Sequence, residues 1–151
     1  MAYSKFLVPT DFSSDSLKAL NVAFSQFATL DNTLILLHVV NSVESNELSN
    51  QRMHAVAHID SKESVKKDHD KAQQAKLKEL ATPHLGEWKE IKTIVKKGNP
   101  SQCIADTVES EHVDLLIIGS HGAGGFRERL FGSTTYDVAR KVKCSVIISK
   151  V

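Results

Sequence analysis

The sequence predicts an α/β fold: one domain on an open, parallel five-stranded sheet with helices on both faces. Three observations carry that expectation. Short apolar runs alternate with segments of helical spacing along the whole chain, the pattern of strands joined by crossover helices. The run Thr33-Leu34-Ile35-Leu36-Leu37-His38-Val39-Val40 is apolar on both faces for most of its length, as a central parallel strand must be. The stretch GSHGAGGFRERLFGS, residues 119–133, stands between an apolar run and a helical segment. Strand, glycine-rich loop, helix is an order that aims backbone N–H groups at a phosphate.

The first strand is Phe6-Leu7-Val8, stopped by Pro9. Pro9-Thr10-Asp11-Phe12-Ser13 then turns into a helix whose apolar positions are Leu17, Leu20, Phe24, Phe27 and Ala28. Ser13 or Ser14 is its expected cap, and Asp15 suits the positive end of the helix dipole. The second strand follows. From Asn41 to about Ile59 polar residues dominate without a period, a loop with a turn of helix expected over 53–57. Residues 61–81 read as a lysine-rich helix with a thin apolar stripe of Val65, Ala72, Ala75, Leu77 and Leu80 and a solvated outer face. Trp88 to Val95 mixes charge with Ile91, Thr93, Ile94 and Val95, as a half-exposed edge strand does. Asn99 and Pro100 start a helix to about Glu111, with Gln102 placed for a variant capping box. Residues 113–118 form the fourth strand. After the glycine loop a helix reaches about Lys143, and residues 145–149 are a last β-branched strand. There is no internal repeat.

Composition narrows the function. The chain has 151 residues, 41% hydrophobic and 25% charged, the size and make-up of one globular domain (1–151). A net charge of +1 argues against nucleic-acid binding through bulk positive charge. Cys103 and Cys144 share no metal-ligand spacing and border apolar segments, so they read as small half-buried thiols. His54 and His58 have an i, i+4 spacing but no third ligand, and read as surface residues. No stretch is long and apolar enough to span a membrane and no signal peptide is recognised, so a cytoplasmic protein is expected.

The loop is neither of two common phosphate binders. A P-loop needs a lysine before its Ser/Thr, and none precedes Ser133. A dinucleotide fold needs glycines in the first βα turn, which here is Pro9 to Ser13. What stands here is Gly119-x2-Gly122-x9-Gly132-Ser133. In that spacing the chain resembles the universal stress protein family, in its ATP-binding branch with the G-x2-G-x9-G-(S/T) signature. The resemblance also takes in residues 6–13, Leu36-Leu37-His38-Val39 and residues 114–122.

The resemblance implies a Rossmann-like, adenine nucleotide alpha hydrolase-like fold that holds ATP, with Mg²⁺ on the phosphates. Asp11 would meet the adenine, with Pro9 and Thr10 lining the same end and Val39 offering its main chain. Gly119, Ser120, His121 and Gly122 would wrap the ribose and α-phosphate. Gly132, Ser133, Thr134 and Thr135 would hold the outer phosphates. It also implies a homodimer through the last strand, Ser145 to Lys150, and a stress-response role. Family members often carry proline before that strand, where this chain has Ser145 after Cys144.

Residue chemistry leaves alternatives beside these roles. Asp11 can be a helix-entry residue, and Arg127 and Arg129 can contact a triphosphate or face solvent. Ser133 can cap its helix or meet a phosphate. His121 reads as a loop histidine shaping the turn rather than a base, and His38 as a hydrogen-bonded core histidine. A slow ATPase is the enzymatic alternative. The chain lacks both the Ser-Gly-Gly-x-Asp-Ser and His-x-Gly-His signatures of related hydrolases and transferases, so no catalytic residue is assigned. A non-nucleotide interaction dimer is the remaining alternative.

Overall fold

Lys5–Pro9 (β1), Thr33–Val40 (β2), Glu90–Lys97 (β3), Leu115–Gly119 (β4) and Ser145–Ser149 (β5) form one sheet in the order β3-β2-β1-β4-β5. Every pairing is parallel. The computed structural model describes residues 2–41, 61–123, 128 and 130–150. The helical turn expected over 53–57, with His54 and His58, lies outside them. Ser14–Phe27 (α1) and Ser61–Ala81 (α2) link β1 to β2 and precede β3; Pro100–Ser110 (α3) and Ser133–Lys141 (α4) follow β3 and β4.

Period-two alternation divides the sheet into two apolar layers. Phe6, Val8, Leu34, Leu36, Leu115 and Ile117 face one side and meet Ala19, Leu20 and Ala23 of α1 and Leu77 and Ala81 of α2. Leu7, Ile35, Leu37, Leu116 and Ile118 face the other and meet Ile104 and Val108 of α3 and Val138 of α4. The strand residues of both layers are essentially inaccessible. Each such side chain contributes roughly 1.5–3 kcal/mol by leaving water.

Because α1 and α2 lie on one face and α3 and α4 on the other, the chain reverses its direction of travel between β1 and β4. Ligands of open α/β sheets bind at that reversal, beyond the carboxyl ends of the strands. Asp114 fixes the far end of the same strand pair. Its Oδ2 accepts the Ser4 amide at 3.0 Å, the Ser4 hydroxyl at 2.9 Å and the Lys5 amide at 2.9 Å. The Ser4 amide first, with its neighbours, holds the Asp114 carboxyl below its ordinary value.

Three details differ from the expected elements. Ala72 and Ala75 of α2 are exposed, while Gln74 turns inward and donates to the Thr93 carbonyl at 3.1 Å and its hydroxyl at 2.6 Å. The layer beneath α2 therefore takes a satisfied amide where a stripe of alanines was expected. Trp88 precedes β3 rather than opening it; it is 2% exposed and packs edge-on to Phe6 at 5.7 Å between ring centres. Asn99 caps α3 by accepting the Gln102 amide at 3.1 Å, but the Gln102 side chain donates to Asp106 instead of closing a capping box. Both cysteines are free and half-buried, and burial pushes both thiols up.

Candidate functional site

The turn after β1 and the loop after β4 meet at the reversal point. Thr10 is 3% exposed and closes β1 onto β2 by donating its amide to the Leu37 carbonyl at 2.8 Å. Its hydroxyl accepts the Phe12 amide at 3.0 Å and shares a 2.9 Å hydrogen bond with Ser16. His38 donates its Nδ1 proton to the Thr10 carbonyl at 2.8 Å, the core role expected of it. That histidine packs on Phe12, whose backbone sits in the left-handed region at φ 63°. A non-glycine residue holds that conformation at a cost, and such residues gather at functional turns. Lys76 of α2 lies over the Phe12 ring, its Nζ 5.4 Å from the ring centre.

Asp11 stands at the mouth and joins the two segments. Oδ1 accepts the Ser13 amide at 3.0 Å and Oδ2 accepts the Ala123 amide at 2.8 Å. Burial pushes its carboxyl up, but the hydrogen bonds from Ser13 and Ala123 together outweigh that and hold it below its ordinary value. Ser13 is the cap of α1, accepting the Ser16 amide.

The glycines are explained by close approach. Gly119, Gly122 and Gly132 all avoid the left-handed region; among described glycines only Gly98 has positive φ, at 140°. A Cβ on Gly119 would lie 2.8 Å from the Asp15 carbonyl carbon and 3.0 Å from the Ser16 amide nitrogen. This glycine lets the first turn of α1 press against the end of β4. A Cβ on Gly122 would come within 2.9 Å of Asp11 Oδ2. Gly132 brings the end of the loop back to its start, donating its amide to the Ser120 carbonyl at 2.7 Å.

Gly132 is also the N-cap of α4, and among the described residues no side chain caps that helix. The amides of Ser133, Thr134 and Thr135 occupy the first turn, where N–H groups have no intrahelical acceptor. Ser133 is exposed and stands as the first residue of α4, one position after the N-cap. Thr135 is 3% exposed and donates its hydroxyl to the Gly119 carbonyl at 2.8 Å. The hydroxyls of Thr10 and Thr135 thus brace the site, leaving their main chains at its edge. Pro9 is buried at the end of β1, and Val39 is half-buried in β2. Arg127 and Arg129 lie outside the described residues.

Sequence reasoning placed Asp15 only at a helix dipole, and the structure places it under the loop. It is 5% exposed, and its Oδ2 accepts the Ser120 hydroxyl at 3.1 Å. His121 Nδ1 lies 3.1 Å from that hydroxyl oxygen and 3.7 Å from the carboxylate. The available signal was the position itself, since the second residue of α1 lies at the rim where β4 ends. Among described residues no group of three or more His, Cys, Asp or Glu is arranged to hold a metal ion. No helix among them is long and apolar enough to cross a membrane.

Comparison with known proteins shows the family and the fold. The Universal stress protein family model matches residues 2–150. Universal stress protein MJ0577 of Methanocaldococcus jannaschii is 31% identical over 159 aligned positions, which cover 98% of this chain and 95% of that protein. The solved structure of hypothetical protein MJ0577 superposes with a TM-score of 0.81 at 27% identity, covering 100% of this chain and 98% of its own. A universal stress protein in complex with cAMP shares the fold at TM-score 0.63 and 21% identity, over 99% and 98% of the two chains. So does an Arabidopsis thaliana family member with AMP bound, at 0.62 and 18%, over 97% and 91%.

Proposed function

The chain belongs to the universal stress protein family, and from that premise we propose that it is a binding module for an adenine nucleotide, ATP in particular. The observation that carries the reading is the first turn of α4. It opens on a glycine, no side chain caps it among the described residues, and it lies at the reversal point of the sheet. Such a turn offers amide donors and the positive end of a helix dipole to a phosphate. The small residues around it keep Cβ atoms out of the approach, and solved relatives of the same fold are described with cAMP and with AMP bound.

In this reading Gly132, Ser133, Thr134 and Thr135 meet the outer phosphates through main chain and the Ser133 hydroxyl. Gly119, Ser120, His121 and Gly122 flank the ribose and α-phosphate. Asp11, Pro9, Thr10 and Val39 line the adenine end, with Arg127 a further contact to the phosphates. Mg²⁺ would be carried on the phosphate oxygens and supply charge neutralisation there. The protein works as a homodimer through β5, whose outer edge is unpaired among the described residues and is physically suited to pairing with a second copy. Its role is regulatory, in a stress response in the cytoplasm, with nucleotide occupancy changing its contacts.

Isothermal titration of the purified protein with ATP, with and without Mg²⁺, tests the reading. Saturable binding is expected, weakened by Gly132→Val with the fold retained. Absence of heat with ATP, ADP and AMP at high protein concentration refutes it. Sedimentation across concentrations tests the dimer, and a monomer throughout refutes that part.

A further inference from the structure

We propose that Asp15 is a positioning residue for the nucleotide loop, fixing the tautomer and orientation of His121 through the Ser120 hydroxyl. The inference deepens the nucleotide-binding reading and rests on it only for its ligand.

The geometry is a three-membered relay. The Ser120 hydroxyl donates to Asp15 Oδ2 at 3.1 Å. A carboxylate accepts and cannot donate, so the single Ser120 proton is committed to it. The Ser120 oxygen can then only accept from His121 Nδ1, 3.1 Å away. Nδ1 therefore carries the ring proton, and the same proton faces Asp15 Oδ2 at 3.7 Å. In the neutral ring the lone pair is left on Nε2. A neighbouring group that dictates the protonated nitrogen also dictates what the other nitrogen can recognise.

Burial gives the relay its rigidity. Asp15 and Ser120 are 5% and 3% exposed. Gly119 admits the Asp15 backbone at a distance no side chain would tolerate, so the carboxylate is locked to the loop's first residue. Asp15 Oδ1 is buried with no hydrogen-bond partner among the described residues. A carboxylate satisfied on one oxygen is a poor choice for stability alone, since burying an incompletely paired charge is costly. Its position in the first turn of α1 offsets part of that through the helix dipole. The arrangement makes sense as a cost borne to hold Ser120 and His121 in one geometry beside the phosphate-facing turn.

Nitrogen-15 NMR of the histidine rings, at a pH where His121 is neutral, tests this without any ligand. The His121 signals are identified by their loss in His121→Gln. The Nδ1-protonated tautomer is expected in the wild type, moving toward the Nε2-protonated form in Asp15→Ala, where the freed Ser120 hydroxyl can donate to Nδ1. The Kd for ATP should rise about tenfold in Asp15→Ala, the effect of one positioning contact. An Nε2-protonated wild-type ring overturns the proposal, as does a folded Asp15→Ala with an unchanged tautomer or unchanged ATP affinity. Should Asp15→Ala fail to fold, the wild-type tautomer decides alone. An Nδ1-protonated ring in a protein that binds no adenine nucleotide upholds the relay and refutes the nucleotide reading. ATP binding by a protein with an Nε2-protonated ring does the reverse.

Discussion

Asp11 Oδ2 accepts the Ala123 amide at 2.8 Å, tying the turn after β1 to the loop after β4 across 112 positions of sequence. Its other oxygen holds Ser13, so two backbone donors converge on one anion. The folded carboxyl is held below its ordinary 3.8. A depressed pKa stabilises the folded state fully above the unfolded value, and the contribution is lost as pH falls through the lower folded value. Because Asp11 is exposed and solvent screens its contacts, Asp11→Asn is expected to be less stable than wild type at pH 7 by less than about 1 kcal/mol. Urea titrations should show that gap closing as pH falls below about 4, where the wild-type carboxyl takes up its proton.

Gly122→Ala should act through the same carboxylate. Its Cβ would sit 2.9 Å from Asp11 Oδ2, which must move and give up Ala123. The variant should fold, with a loss of about 1 kcal/mol. A double-mutant cycle with Asp11→Ala should be strongly non-additive, because both changes break one contact.

Gly119→Ala and Gly132→Ala should separate packing from approach. At Gly119 the added carbon meets backbone at 2.8–3.0 Å, which cannot yield without shifting α1. Thermal unfolding should show a loss of about 1–3 kcal/mol. At Gly132 the nearest atom is 3.4 Å away, so stability should change by less than about 0.5 kcal/mol. Calorimetry should then locate the Gly132→Ala effect in ATP binding.

Leu77→Ala should cost about 2–5 kcal/mol in urea unfolding, since Leu77 is fully buried between α2 and the sheet. Ala75→Ser, two residues earlier on an exposed face, should change stability by less than about 0.5 kcal/mol. Equal effects would mean that α2 docks by another face.

The order and parallel arrangement of the elements were legible because strand runs and helix caps are local signals. Phe6-Leu7-Val8 needed only its apolar character, and Asn99-Pro100 only its capping chemistry. Ala72 and Ala75 were misplaced because α2 has few large apolar side chains, so its rotation is decided by Leu77 and by the Gln74 contact with Thr93 on a distant strand. At the candidate site the glycine spacing was visible, but its physical reason was not. The structure shows three glycines outside the positive-φ region, set by nearness to Asp15, Asp11 and the loop's own start. Asp15 was overlooked for the same reason: its partner, Ser120, is 105 residues away.

Trp88 is the chain's single tryptophan, shielded from solvent against Phe6 and set just before the amino end of β3. Candidate ligands approach the carboxyl ends of β1 and β4, the opposite rim. Indole emission will thus register loosening of the layer under α1 and α2 and stay nearly silent to occupancy of the cleft. The protein carries a built-in optical gauge of its foundation that is blind to its guest.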